Sequence, residues 1–436
     1  MRRTADVSAP RNIGPVTSGP MFHRASQATA RPVLLAASLA LALALAACGG
    51  TPAKTTTPSS TTPALAPTDT SDTTAATSVY RFGVVGNRGK IAQLERATPT
   101  VVAGITGTVV QIATSNSDGY ALTSAGTVWA WGVGSYGELG NGTTSAYVTR
   151  AVRVSFPAGV KIVALPNPMP FDGALAIDSH GRAWGWGLNA NGDLCLSGLL
   201  ELRPSRIPLS DVTLATGARE HSLFDSGGKV YACGSGADGV LGDGSTASSS
   251  RPVQVKGLPA TARVTALTSS WEGSGALLSN GAYYDWGYNA AGQLGNGSTA
   301  NSDVPVRVKL PAAVGQVSQG GSGAVNGQTV VILSNKSVWA WGNGTKGQLG
   351  DGGTASSDVP VPVHVPAGVT FAKVNSGGYS CYAIDSSGRL WAWGGNQNGQ
   401  LGTGSGAQRE TTPVEVGIHL TQVSSTASNV AGFEQN

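Results

Sequence analysis

The chain has 436 residues, of which 12% are charged, 62 are glycine and ten are tryptophan against seven phenylalanines and three methionines. That composition favours short strands and many turns over long helices. Removing an N-terminal segment with Arg2, Arg3, Arg11, Arg24 and Arg31 against Asp6 leaves 23 basic and 23 acidic residues, so a nucleic-acid partner has no electrostatic support.

That segment reads as an export signal. Arg24 and Arg31 precede the apolar run Val33 to Ala47, which is shorter than the ~20 residues needed to span a bilayer. Met21 is an alternative start, because residues 1–20 have no part in such a signal, and Arg2 and Arg3 lie too far from the run for a twin-arginine signal. Leu45, Ala46, Ala47 and Cys48 resemble the lipobox of bacterial lipoproteins, which implies a signal peptide over 1–47 and an acylated Cys48 as the mature N-terminus. Residues 48–78, rich in Thr, Pro and Ser, cannot bury enough apolar surface to fold and are expected to form a flexible tether.

From residue 79 onward one pattern recurs. "WAWGVGSYGELGNG" at 129–142 returns as "WGWGLNANGDLCLSG", "YACGSGADGVLGDG", "YDWGYNAAGQLGNG", "WAWGNGTKGQLGDG" and "WAWGGNQNGQLGTG", after a degenerate copy, "YRFGVVGNRGKIAQL". The anchoring glycines, Gly83, Gly132, Gly187, Gly234, Gly287, Gly342 and Gly394, recur about every fifty residues, a spacing that marks propeller blades. A dinucleotide-binding turn would occur once, between a strand and a helix, so these glycines serve turns instead.

From Asp303, "DVPVRVKL", "GQVSQ", "QTVVIL" and "SVWAWG" read as the four short strands of one blade. The paired aromatics, such as Trp129 and Trp131 or Trp339 and Trp341, lie two apart, on one side of the strand. They are expected to fill the wedge between neighbouring blades, with Leu139, Leu194, Leu241, Leu294, Leu349 and Leu401 completing the packing. The chain opens with a last strand, "VYRFG", and finishes with earlier ones, "TTPVEVG" and "TQVSSTASNVAGF". The reading is an all-β, seven-bladed propeller of four-stranded blades over 79–436, closed by the two termini sharing one blade. Cys195, Cys233 and Cys381 cannot all pair and fall at three different points of the repeat, so free buried thiols are expected.

W-x-W-G, G-x-L-G and the following Pro-Val-x-Val strand resemble the repeat of the regulator of chromosome condensation family. The likeness is strong in six copies and weak in the first, and Cys195 and Cys233 depart from it. It implies a seven-bladed propeller whose loops grip partner proteins through acidic and histidine positions. Eukaryotic members of that kind catalyse guanine-nucleotide exchange on a small GTPase, and a secreted bacterial type inhibits β-lactamases.

Catalytic and cofactor signatures are missing. His180, His221, His364 and His419 lie far apart, there is no HExxH, paired CxxC or G-x-S-x-G, and loops such as "GDGSTASSS" hold too few carboxylates for calcium. No cofactor or metal is expected. The repeats differ most in the loop before each "AL"-type strand. Asp118, Asp172, Glu220 and Glu272 lie fourteen or fifteen residues before the W-x-W-G glycine in four consecutive units and predict a one-sided acidic arc. Trp271 stands outside the aromatic pairs, and Met169, Phe171, Arg219, His221 and Tyr379 lie in sister loops. Trp, Tyr and Arg within a polar rim are residue types of a protein-binding hot spot.

The expectation is therefore a non-catalytic, monomeric, protein-binding propeller, exported and held to a bacterial membrane by its lipid anchor alone, facing the periplasm or the outside. Guanine-nucleotide exchange and a polysaccharide-cleaving or glycan-binding propeller using a carboxylate pair are the alternatives.

Overall fold

The computed structural model describes residues 78–85, 94–321, 326–425 and 429–434. The signal segment, Cys48 and the tether lie outside them. Every sheet has four antiparallel strands. Six blades are each built from one continuous stretch: blade 1 from 109–153, blade 2 from 162–206, blade 3 from 212–254, blade 4 from 264–307, blade 5 from 314–362 and blade 6 from 371–419.

The expected count of seven blades is corrected to six blades, each of one continuous stretch. The remaining four-stranded sheet is a composite: Ser78–Val85 and Leu94–Val101 from one end of the domain join Gln422–Ser425 and Asn429–Glu434 from the other. Tyr80 and Val423 both register with Gly432 within it. The expected blade boundaries were also off by one strand. The Pro-Val strand pairs with the aromatic strand before it, as Tyr284 with Arg307 and Trp339 with Pro362 show, so it is the outer strand of its own blade. "TTPVEV" accordingly closes blade 6 and contributes nothing to the composite sheet. The physical reason is the G-x-L-G turn, which reverses the chain straight back onto the aromatic strand.

First strands line the axis. Thr114 Oγ1 meets Ser424 Oγ at 2.7 Å and Thr216 Oγ1 meets Ser269 Oγ at 2.8 Å, both across sheet boundaries. Ser425 Oγ donates to Asn375 Oδ1, so the composite sheet touches blade 6 as well as blade 1.

The aromatic pairs divide their work. Trp131, Trp186, Trp286, Trp341 and Trp393, the second of each pair, are fully buried, whereas Trp129, Tyr284 and Trp339 are only partly so. Burying one such ring is worth at most roughly 4 to 6 kcal/mol. Four of these indoles also reach the preceding blade: Trp186, Trp286, Trp341 and Trp393 donate Nε1–H to the carbonyls of Glu138, Val240, Gln293 and Gln348 at 2.8–3.0 Å. The acceptor is always the x residue of G-x-L-G. The glycine that closes the turn lies against the same ring, since a Cβ on Gly140, Gly242, Gly295 or Gly350 would stand 2.7–2.8 Å from an indole atom. All six leucines of the turns are buried.

At the seam between blades 2 and 3 this arrangement is replaced. Cys233 occupies the ring's position, Cys195 occupies the glycine's, and the two form a disulfide with Cα atoms 5.5 Å apart. The expectation of free thiols is thus corrected. The two cysteines sit at different points of the repeat because the wedge itself joins those two points across a seam. Cys195 takes φ 54°, the left-handed conformation its glycine counterparts adopt, at a cost of roughly 1–2 kcal/mol for a residue with a Cβ. Cys381 remains a buried free thiol, pushed up to about 12 by burial.

Candidate partner-binding face

The loops between first and second strands are held by a device common to the blades. Each W-x-W-G glycine has φ between 96° and 119°. A Cβ on Gly187 or Gly287 would lie 2.6 Å from the carbonyl oxygen of Asp172 or Glu272. The residue after the glycine donates its N–H to that same carbonyl: Leu188 to Asp172, Ser235 to Glu220, Tyr288 to Glu272, Asn343 to Gly327 and Gly395 to Tyr379, at 2.7–2.9 Å. The backbone is therefore fixed at one rim position in each of blades 2 to 6 while the side chain there is left unconstrained.

This register separates residues that counting along the sequence had placed together. Asp118 pairs with Gly132, so its counterparts are Gly173, His221, Gly273, Gln328 and Ser380, one step inside the rim. Asp118 is buried, accepts from Ser115 Oγ at 2.8 Å, and has its carboxyl pushed well up by burial and by the neighbouring Glu138 charge. His221 is buried too, with Nε2 2.9 Å from Ser274 Oγ of blade 4. The Ser274 hydroxyl donates to the Val240 carbonyl, so the Ser274 oxygen accepts from His221 and the ring carries its proton on Nε2. Burial lowers this imidazole to about 4 and keeps it neutral. Met169 is also buried, its sulfur accepting from the Leu175 N–H at 3.3 Å. These three support the face from beneath.

Asp172, Glu220, Glu272 and Tyr379 do occupy equivalent rim positions and are partly exposed. Between the first three stands a compact cluster. The Phe171 and Trp271 rings meet edge-to-face at 5.2 Å, the Arg219 guanidinium lies 4.5 Å from the Trp271 ring centroid, and Arg219 Nη1 is 3.0 Å from Glu220 Oε1. Three consecutive blades supply these residues. They border a depression at the axis, also lined by Asn116, Met169 and Gln319, with a cavity volume of about 50 Å³. Small-molecule pockets run to about 300 Å³ and more, so this is a surface feature. Tyr379 stands apart, its hydroxyl accepting from Asn326 Nδ2 at 3.0 Å.

The acidic character extends to residues not picked out from the sequence. Asp193 is raised to about 7 by burial, with the charges of Asp172 and Glu220 adding to it. Glu272 is raised to about 7 by burial and then by Asp238, with Arg219 opposing. Glu138 and Asp193 hold the x position of G-x-L-G, where blades 4, 5 and 6 carry Gln293, Gln348 and Gln400. That alternation was the available signal, since the turn lies on the same face as the rim loops. No group of three or more His, Cys, Asp or Glu side chains among the described residues is placed to hold a metal ion.

The comparisons agree with this architecture. The family model described as "Regulator of chromosome condensation (RCC1) repeat" matches residues 125–165, 227–277, 280–325, 336–384 and 387–431. The human E3 ubiquitin-protein ligase HERC2 is 26% identical over 313 residues, 68% of this chain but only 6% of HERC2, so the chain spans a small part of that relative. Human WBSCR16 superposes with a TM-score of 0.72 at 20% identity, covering 83% of this chain and all of that one. Prp20p of Saccharomyces cerevisiae, studied for its binding to Gsp1p and histones, gives 0.67 at 17% identity over 82% of this chain and 91% of its own. With the repeat matched over more than half its length, the chain belongs to the regulator of chromosome condensation (RCC1) repeat family.

Proposed function

We propose that this protein is a non-catalytic, protein-binding propeller carried outside the cytoplasm on a lipid anchor at Cys48, and that it holds its partner by the face around Phe171, Arg219 and Trp271. The observation that carries the reading is the joining of those three side chains from three blades into one aromatic and cationic cluster inside an acidic rim. Fully packed Trp and Arg anchors dominate protein interfaces, and the depression beside them is too small for a substrate-sized molecule. Prp20p, of the same fold, binds Gsp1p and histones, which supports protein recognition as the use of such a ring. The Cys195–Cys233 disulfide supports export, because such bonds persist in oxidising compartments.

Immobilised wild-type protein and Trp271→Ala, exposed to exported and cell-surface proteins, test the binding face. A partner retained by the wild type and lost by the variant is expected; equal retention rejects the face. Labelling with a radioactive fatty acid tests the anchor. Incorporation that survives in Cys48→Ser would dismiss it.

A further inference from the structure

Five seams between consecutive blades can be compared, and four are alike. At each of those a buried indole donates to the x carbonyl of the preceding G-x-L-G turn and covers the glycine that follows. The fifth, between blades 2 and 3, has lost both halves of the device. Cys233 Sγ lies 3.5 Å from the Asp193 carbonyl oxygen, the same acceptor position that the indoles reach elsewhere, but a bridged sulfur has no proton to give. What remains of the wedge is the covalent bond.

We infer that the Cys195–Cys233 bridge is a maturation lock: the seam between blades 2 and 3 closes fully only when these thiols are oxidised. The binding face then becomes competent on arrival in an oxidising compartment. Placement ties the lock to the face. Directly across this seam the Phe171 N–H donates to the Ala218 carbonyl at 3.0 Å and the Gly217 N–H to the Pro168 carbonyl at 3.0 Å, so the loops bearing Phe171 and Arg219 are hydrogen-bonded to one another over the bridged boundary. Burial sets the direction. Cys195 is 3% exposed and Cys233 fully covered, so the bond forms while the seam is still open and is shielded afterwards. The step is a thiol–disulfide exchange. The thiols of Cys195 and Cys233 lose two protons and two electrons to a disulfide-bearing oxidant, which leaves as two thiols.

The link to binding rests on the function proposed above, but stability does not, so the two can fail separately. Full-length wild type, the Cys195→Ser/Cys233→Ser pair and the Cys195→Gly/Cys233→Trp pair are refolded with oxidised glutathione or with dithiothreitol and unfolded in urea. The wild-type midpoint is expected to fall when it is refolded with dithiothreitol, and the serine pair to show that lower midpoint under both conditions. The Gly/Trp pair rebuilds the wedge without a bridge and is expected to unfold at a higher midpoint than the serine pair under both conditions. A reduced wild type and a serine pair that keep the midpoint of the oxidised protein overturn the lock, whatever the Gly/Trp pair does. If the midpoints behave as expected but the serine pair retains the Trp271-dependent partner fully, the lock stands and its coupling to the face falls.

Discussion

Blades 2 to 4 and blades 5 and 6 put the same backbone to different uses. In both regions the W-x-W-G glycine accommodates the carbonyl of the rim residue, and the next N–H binds it at 2.7–2.9 Å. On one side that rim position holds Asp172, Glu220 and Glu272, interleaved with Phe171, Arg219 and Trp271; on the other it holds Gly327 and Tyr379. The x position of G-x-L-G follows a different division, from Asp193 in blade 2 and Val240 in blade 3 to Gln293, Gln348 and Gln400 in blades 4, 5 and 6. All three glutamines use their side-chain oxygens to bind the backbone N–H two residues before them, that of Ala291, Lys346 and Asn398, a role internal to the turn. The difference teaches that architecture is carried by positions shared around the ring and recognition by those that break the sharing.

The largest way to break that comparison is to attack what both regions share. Trp341→Ala would open a cavity between blades 4 and 5 and leave the Gln293 carbonyl without its indole donor. Truncations of this kind cost about 3–5 kcal/mol. The expected outcome in urea is a clear loss of unfolding free energy; a change below about 1 kcal/mol would show that the wedge is dispensable.

Next in size is a contrast between the two sides. Trp271→Ala should weaken partner binding by about 2 kcal/mol, as hot-spot truncations do, while Tyr379→Ala, at the rim position that Glu272 holds in blade 4 but away from the cluster, should change it by less than about 1 kcal/mol. Titration calorimetry of both variants against the captured partner measures this. Equal losses would extend the face right round the axis.

Much of this was legible in the sequence, for reasons that can be named. The second ring of each aromatic pair, the turn leucines and the fifty-residue spacing are repeated, and repetition exposes them without any structure. What escaped notice depends on register. Asp118 and Asp172 lie fourteen and fifteen residues before their glycines, a difference of one that moves a carboxylate from the rim to a buried site paired with Gly132. His221 is thirteen residues before Gly234 because its hairpin is one residue shorter, so it belongs with Asp118 and not with the exposed loop. The disulfide escaped because the wedge contact is made between blades. Two departures from the repeat, each isolated in sequence, compensate for one another only across a seam. That the two ends share a sheet was legible from their incomplete repeats, but the order of its strands was not, since none carries a W-x-W-G or G-x-L-G copy complete enough to mark it.

The smallest expected effect sharpens the comparison from within the acidic side. Burial, with the Asp238 charge, raises Glu272 from 4.5 to about 7, so the folded protein holds this proton more tightly than the unfolded chain. Between those two values the native state binds more protons, and stability contributed by protonated Glu272 is lost as pH rises through about 7. His221 works in the opposite sense, because its lowered value of about 4 makes stability fall as pH drops below 6.5. The two effects overlap below pH 6.5, and above it Asp193, also raised to about 7 by burial, changes in the same sense as Glu272. The difference between wild type and Glu272→Gln in unfolding free energy at pH 6.5 and pH 8 therefore isolates this carboxylate. The wild type should lose stability over that interval, and Glu272→Gln should lose less; with the carboxyl only half-buried, solvent screening keeps the difference small. Identical slopes for the two proteins would mean that Glu272 is solvated like its neighbours, and that the rim of blade 4 differs from that of blade 6 in charge alone.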